Sequence, residues 1–186
     1  MKWLTPLLLI PVLLFGFGFK RTQPVKFDTN KSVATTTKIE KDSISIKEKE
    51  QALEFVEYAK TLMGIPYLYG STDPAKGLDC SGFINAVSKH FDIKVPRSSV
   101  EFTNMGTDVA VDSSMPGDLI LFTGTDPKKH VVGHIGIVTE NNNGDVQFIH
   151  SSSGKANGVT ISGLEGYYET RFVKIIRILP QGKSDV

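Results

Sequence analysis

The single cysteine and the histidines are the residues of this 186-residue chain best suited to nucleophilic chemistry. Cys80 is the only cysteine, so it has no partner for an intramolecular disulfide. It lies in LDCSGFI, where Phe83 and Val87 mark the buried face of a helix predicted to begin near Asp79. The first turn of a helix carries unpaired N–H groups and the positive end of the dipole. We therefore predict a lowered pKa for the Cys80 thiol and a nucleophilic role.

The alternative for Cys80 is a small, buried, apolar residue without reactivity. The polar neighbours Asp79 and Ser81 disfavour this alternative. A third interpretation, a zinc site that combines Cys80 with His134 and His150, has suitable ligand types. However, neither CxxC nor HExxH spacing occurs in the chain.

A nucleophilic cysteine needs a base, and the base needs a group that orients it. His134 opens a predicted strand and His150 lies late in the next one, so a hairpin can place the two side chains together. His90 is near the C-terminal end of the predicted helix and is interpreted as a surface residue. His130 follows a charged segment and is interpreted as loop. His134 and His150 are therefore the candidate base and orienting group.

This pairing restricts the strand register, because side chains alternate between the two faces of a sheet. For both histidines to share the face that meets Cys80, opposed residue numbers must sum to an even value. His150 is then expected opposite His134 or an even-numbered neighbour such as Gly136. The NNNGD turn must supply an odd-length loop or a bulge, and Gly144 can provide a positive φ.

Two helices besides that of Cys80 are predicted. The first begins at a capping box of Ser45 and Glu48. The apolar residues that recur on its predicted buried face are Leu53, Val56, Ala59 and Met63, with Phe55 and Leu62 beside them. Gly64 and Pro66 end it. The other is a short helix that starts near Ser98.

The pattern after Met115 changes from helices to strands. The predicted strands are GDLILF, HIGIVTE, DVQFIHSS, GVTIS and RFVKIIRIL. Helices followed by strands, without β-α-β alternation, indicate an α+β domain in which N-terminal helices pack on an antiparallel sheet of about five strands.

The N-terminal residues indicate export. Residues 1–21 combine a basic start, an apolar run and a return to positive charge, as in a secretory signal. The run is shorter than the ~20 residues of a spanning helix and lacks a small-x-small cleavage site, so a cleaved signal peptide and a retained membrane anchor both stay open. Residues 22–47 are a predicted polar linker, 48–180 the compact domain and 181–186 a tail.

Six blocks in order, PYLYG, LDCSGFI, VPRSS, PGDLILF, HIGIV and FIHSS, resemble the NlpC-type cell-wall cysteine peptidase family. The resemblance extends over most of residues 52–179. It implies a papain-like fold and cleavage of peptidoglycan stem peptides, typically after the D-glutamyl residue through its γ-carboxyl. It also implies that Cys80 is the nucleophile, His134 the base and His150 the third residue.

The same resemblance places Tyr67, Asp79 and Ser81 at the substrate end of the site, with the Tyr67 hydroxyl able to assist the backbone N–H of Cys80 at the oxyanion. The chain departs from the family pattern where Ser71 replaces a second glycine, where NNNG lengthens the hairpin turn, and at Val138, where an aromatic residue is common. The change at Ser71 leaves substrate preference open.

Net charge and motif content limit the classes of partner that this chain can bind. The formal net charge is +1, and the chain has neither a basic stripe nor a GxxxxGK[ST] phosphate loop, so no nucleic-acid partner is expected. We expect an exported monomer, periplasmic or extracellular, that acts on stem peptides without a metal or cofactor. A thiol-dependent amidase or acyltransferase, or a non-catalytic wall-binding module, stays open as an alternative.

Overall fold

A computed structural model describes residues 46–129 and 131–179. The predicted signal or anchor segment, nearly all of the linker, Ser45, His130 and the C-terminal tail lie outside these residues. The bounds predicted for the segments therefore stay predictions.

The first helix, α1, includes residues 46–61. Its buried face carries Phe55, Val56, Ala59 and Leu62. The prediction that Leu53 and Met63 belong to this face is wrong, since they are 54% and 47% exposed. Periodicity alone allows several neighbouring stripes on an apolar helix, and the packing partners select one of them.

The second helix, α2, spans Cys80–His90 and confirms the predicted start at Asp79. Asp79 is the N-cap, and its carboxylate accepts a hydrogen bond of 2.6 Å from the N–H of Gly82. The short helix expected near Ser98 is a 3₁₀ helix, Ser99–Asn104. The Glu101 side chain accepts a 3.0 Å hydrogen bond from the N–H of Ser98, which fixes its start.

The described residues contain eight strands, numbered in chain order, of which the first two precede α2: β1 Thr72–Asp73, β2 Gly77–Leu78, β3 Thr107–Val109, β4 Leu119–Thr123, β5 Val132–Asn142, β6 Asp145–Ser152, β7 Gly158–Gly163 and β8 Phe172–Arg177. β1 and β2 form a small antiparallel pair. The others form one antiparallel sheet in the order β3-β8-β4-β5-β6-β7. The five predicted strands are all present. The additional edge strand β3 has three residues, too few to show an alternating pattern.

The sheet is covered on both faces. Leu119 and Leu121 of β4 belong to the cluster that includes the buried residues of α1 and α2. Ile120 and Phe122 belong to a second cluster on the opposite face, against which Tyr168 packs. The alternation of β4 between the two clusters makes it a central strand, buried along its whole length.

Candidate active site

Cys80 lies in the first turn of α2, half-buried, with its Sγ 4.0 Å from the carbonyl oxygen of Gly133 in β5. The carboxylate of Asp79 behind it forms an ion pair with Arg97, with contacts of 2.6 and 3.1 Å. Arg97 also donates a 2.9 Å hydrogen bond to Ser81 Oγ. Asp79 and Ser81 are buried, and their contacts fix the start of the helix that carries the thiol.

The thiol is less acidic than the sequence predicted. Burial raises the pKa of Cys80 above its ordinary value, and the neighbouring Asp79 carboxylate raises it further. The backbone N–H groups of Ser81, Cys80 itself and Ile135 oppose this shift without reversing it. The prediction of a lowered pKa is therefore wrong, because a helix N-terminus could not compensate for burial beside a carboxylate. In the free protein the thiol is protonated, so a base must remove the proton.

The two strand histidines form a direct contact. His134 Nε2 and His150 Nδ1 are 2.8 Å apart, and the rings are nearly perpendicular, with an interplanar angle of 85°. The predicted register is confirmed: Ile137 lies opposite Ile149 and Val138 opposite Phe148, so the paired numbers sum to an even value. A Cβ built on Gly136 would be 3.2 Å from the Cβ of His150, which agrees with their being opposed.

The even register is produced by a bulge, not by the turn. Asn143 and Gly144 form a two-residue turn with φ of 54° and 96°, and next to this turn Asn142 pairs with Asp145. The residue numbers of each opposed pair next to the turn therefore sum to an odd value. The register shifts between Val138 and Glu140. One extra residue in β5 thus returns both histidines to one face.

That shared face is the one that carries the second apolar cluster. Phe122 and Phe148 lie 5.9 and 4.9 Å, between ring centroids, from His134 and His150 respectively. The prediction that the two histidines share the face that meets Cys80 is wrong, because α2 packs on the opposite face of the sheet. Instead, the N-terminus of α2 contacts the backbone of β5 next to His134, and both side chains line one cleft.

Both imidazoles are held neutral at physiological pH. Burial lowers the pKa of His134 well below its ordinary value, and the neighbouring His150 and the positive charge of Arg171 lower it further. Burial, with a smaller contribution from Arg171, lowers the pKa of His150 to about 4. A protonated thiol beside a neutral histidine is therefore the resting state of the site.

His150 is fixed at its other nitrogen as well. Nε2 lies 3.0 Å from Ser162 Oγ on β7 and 3.4 Å from the Tyr168 hydroxyl. For Nδ1 of His134 to accept a proton, Nε2 of His134 must carry a hydrogen and donate it to Nδ1 of His150. His150 then carries its own hydrogen on Nε2, where Ser162 Oγ accepts it.

The cleft has a volume of about 800 Å³. Its walls combine both reactive side chains with residues from several loops and strands: Tyr67, Cys80, Thr125, Gly133, His134, Ser152, Ser153, Gly154, Lys155, Ala156, Thr160, Ser162, Tyr167, Tyr168 and Arg171. Of the three residues predicted at the substrate end, Tyr67 is in this lining. Burial raises the pKa of Tyr67, and the nearby Cys80 and Asp79 raise it further, so its hydroxyl stays protonated and can donate a hydrogen bond.

Sequence reasoning missed Ser162, Tyr168 and Arg171. Ser162 could have been found, because His150 pairs with Thr160 in the next strand and Ser162 follows on the same face. Tyr168 and Arg171 lie in the connection before β8, whose path no strand pattern predicts. His90, interpreted as a surface residue, is exposed and stacks on Tyr58 at 3.7 Å, away from the cleft lining.

Within residues 46–129 and 131–179, no three or more His, Cys, Asp or Glu side chains are grouped so that they could hold a metal ion. The helices of this same part of the chain are too short or too polar to cross a membrane.

Comparison with known proteins decides the family. The sequence model of the NlpC/P60 family matches residues 64–177. The chain belongs to the NlpC/P60 family. Two Escherichia coli (strain K12) relatives are each 36% identical, over 117 and 118 residues: "Probable endopeptidase NlpC" and "Murein DD-endopeptidase MepS/Murein LD-carboxypeptidase". A third relative, "Gamma-DL-glutamyl hydrolase" of Bacillus subtilis (strain 168), is 34% identical over 124 residues.

These matches cover 62%, 62% and 66% of this chain. They cover 70%, 57% and 28% of the respective relatives, so the chain corresponds to only part of each of them. Among solved structures, an NlpC/P60 family protein from Bacillus cereus superposes with a TM-score of 0.61 at 29% identity, over 69% of this chain and 40% of that one. The papain-like α+β fold is thereby confirmed, and the relatives that the chain matches are named as endopeptidases or hydrolases.

Proposed function

We propose that this NlpC/P60 domain cleaves an amide bond of peptidoglycan stem peptides through Cys80, with His134 as the base and His150 as the group that orients it. The observation that carries the proposal is the contact of 2.8 Å between His150 and His134, which lines the same cleft as Cys80. A thiol and a base that line one cleft, with an orienting group in contact with the base, are the parts that nucleophilic catalysis requires.

The reaction begins with transfer of the Cys80 proton to Nδ1 of His134. The thiolate attacks the carbonyl carbon of the scissile amide, and the oxygen takes up the negative charge. The backbone N–H of Cys80 and the Tyr67 hydroxyl are the proposed donors to this oxyanion. His134 then protonates the leaving amine as the C–N bond breaks, which leaves a thioester on Cys80. Water, deprotonated by His134, hydrolyses the thioester and restores the thiol.

The bond that we propose is the one that follows a γ-linked D-glutamyl residue. The family resemblance implies this bond, and the name of the Bacillus subtilis relative, a γ-DL-glutamyl hydrolase, supports it for a related domain. Peptidoglycan as the source of the peptide is supported by the name of the murein endopeptidase from Escherichia coli.

A cell-wall substrate implies a location outside the cytoplasm, and the basic and apolar composition of residues 1–21 supports export. We propose that this segment acts as a signal peptide or an N-terminal membrane anchor and that residues 22–47 connect it to the monomeric peptidase domain.

Digestion of purified peptidoglycan tests the proposal. Mass analysis of the released fragments should show termini created after the γ-D-glutamyl residue. Cys80→Ala and Cys80→Ser should each abolish cleavage, because a serine hydroxyl here would not be sufficiently activated. His134→Ala should be comparably inactive, whereas His90→Ala, a matched control in an exposed position, should retain full activity. Cleavage by Cys80→Ala would contradict the proposed mechanism.

A further inference from the structure

Arg171 is buried in the cleft without a carboxylate partner. It is 6% exposed. The other two arginines of the described residues pair with acids, Arg97 with Asp79 and Arg177 with Asp118. Arg171 instead donates to two backbone carbonyl oxygens, those of Gly124 at 2.9 Å and Thr123 at 2.7 Å. A buried guanidinium with only neutral acceptors has no compensating negative charge within this part of the chain.

The hydrogen bonds of Arg171 use Nε and Nη2, so Nη1 has no partner among the described residues. Two polar side-chain atoms in that part of the chain are sealed from solvent without a hydrogen bond, and they belong to Ser88 and Thr123. Nη1 of Arg171 makes no hydrogen bond within the described residues and is not one of these sealed atoms, so it is accessible to solvent. Because Arg171 lines the cleft, this free donor is available to a molecule bound there.

The rest of the cleft also favours an anion. Its lining contains no aspartate or glutamate, and it contains a second cation, Lys155. The guanidinium carbon of Arg171 lies 4.7 Å from the centroid of the Tyr167 ring, a cation–π contact. An ordered, half-satisfied guanidinium in an acid-free cleft is complementary to a carboxylate.

We propose that Arg171 binds a free carboxylate of the substrate residue next to the scissile bond, so that the enzyme selects stem peptides in which this group is not amidated. This inference rests on the proposed function. A glutamyl residue linked through its γ-carboxyl keeps its α-carboxylate free, and a diamino acid on the other side of the bond can carry a second carboxylate. Either group has the chemistry that the guanidinium recognises.

Three synthetic stem peptides distinguish the glutamyl α-carboxylate from the carboxylate of the diamino acid as the group that Arg171 binds. The parent peptide contains γ-D-glutamyl followed by diaminopimelate, the second has a carboxamide at the glutamyl α-position, and the third has lysine in place of diaminopimelate. We expect kcat/KM to fall by about tenfold to a hundredfold for the peptide that lacks the recognised carboxylate, the factor for a charge-assisted hydrogen bond. A wild-type enzyme that cleaves all three peptides within about twofold would overturn the proposal and leave the proposed function intact.

The variant Arg171→Gln should lose this discrimination and cleave all three peptides at equal rates, while Arg171→Lys should retain part of the discrimination. Lys174→Gln is the matched control, because Lys174 pairs with Asp108 away from the cleft lining, and it should discriminate as the wild type does. Discrimination that persists in folded Arg171→Gln would assign the carboxylate to another residue and refute the inference. If Arg171→Gln does not fold, the rates at which the wild-type enzyme cleaves the three peptides decide whether the inference holds. If the wild type cleaves none of them, the proposed function fails together with the inference.

Discussion

Replacement of Ser162 by alanine tests whether the hydrogen-bond chain behind His134 determines which nitrogen carries each proton. Ser162 Oγ lies 3.0 Å from His150 Nε2, and the alternative acceptor, the Tyr168 hydroxyl, lies at 3.4 Å. Without Ser162 Oγ, the hydrogen of His150 moves more readily to Nδ1. From there it points at His134 Nε2, and the His134 hydrogen is displaced to Nδ1, the nitrogen that must accept the thiol proton.

The magnitude follows from the hydrogen bond that is lost. A typical intramolecular hydrogen bond contributes about 0.5–1.5 kcal/mol, so Ser162→Ala should lower kcat by about twofold to tenfold. In the double variant Ser162→Ala/Tyr168→Phe, a buried donor has no acceptor, which costs about 1–3 kcal/mol, and kcat should fall by about fivefold to a hundredfold. KM should change little, since Ser162 acts through His150 as a positioning residue.

The assay is steady-state cleavage of the parent stem peptide by folded wild type, both single variants and the double variant. Thr160→Ser serves as the matched control, because Thr160 lines the same cleft opposite His150 without a hydrogen bond to it. A double variant with wild-type kcat would refute the proton arrangement. A rise in KM at constant kcat would show that Ser162 contacts substrate instead.

Three further outcomes are expected. His150→Gln should retain more activity than His150→Ala, since an amide can still orient the His134 ring, and kcat measurements on both variants check this. His150 alone should lower the free energy of unfolding by about 3 kcal/mol between about pH 6.5 and pH 4, because the unfolded chain protonates it in this range and the folded chain does not; denaturant titrations should show a fall smaller by about this amount for His150→Gln. The rate of iodoacetamide alkylation of Cys80 in the free enzyme should continue to rise above pH 9, and a plateau near neutral pH would contradict the raised thiol pKa.

Features encoded by neighbouring residues could be predicted from the sequence. The N-cap at Asp79 and the buried stripe of Phe83 and Val87 gave the start and orientation of α2 correctly. The requirement that two histidines share a face correctly predicted an even register and a bulge or odd-length loop. The position of the bulge could not be predicted, because an extra residue in β5 leaves no local signal when every neighbour is compatible with a strand.

Features that depend on tertiary packing were predicted less well. The acidity of Cys80 is determined by how deeply α2 enters the fold and by the adjacent Asp79 carboxylate, and only the first turn of the helix is visible in the sequence. Arg171 was missed for the same reason. In the sequence, ETRF is an ordinary charged segment before a strand, and only the packing of its side chain against Thr123 and Gly124 shows that the charge is buried.

The resting charges of the site connect the mechanism to the proposed substrate contact. Proton transfer from Cys80 to His134 creates a thiolate and an imidazolium in a partly buried cleft. The N–H groups of Ser81 and Ile135 stabilise the thiolate, whereas the positive charge of Arg171 opposes the imidazolium. A substrate carboxylate bound to Arg171 would neutralise that charge and so favour the transfer. The contact that selects the substrate therefore also promotes formation of the reactive ion pair, and the peptide that lacks the recognised carboxylate should show a lower kcat as well as a higher KM.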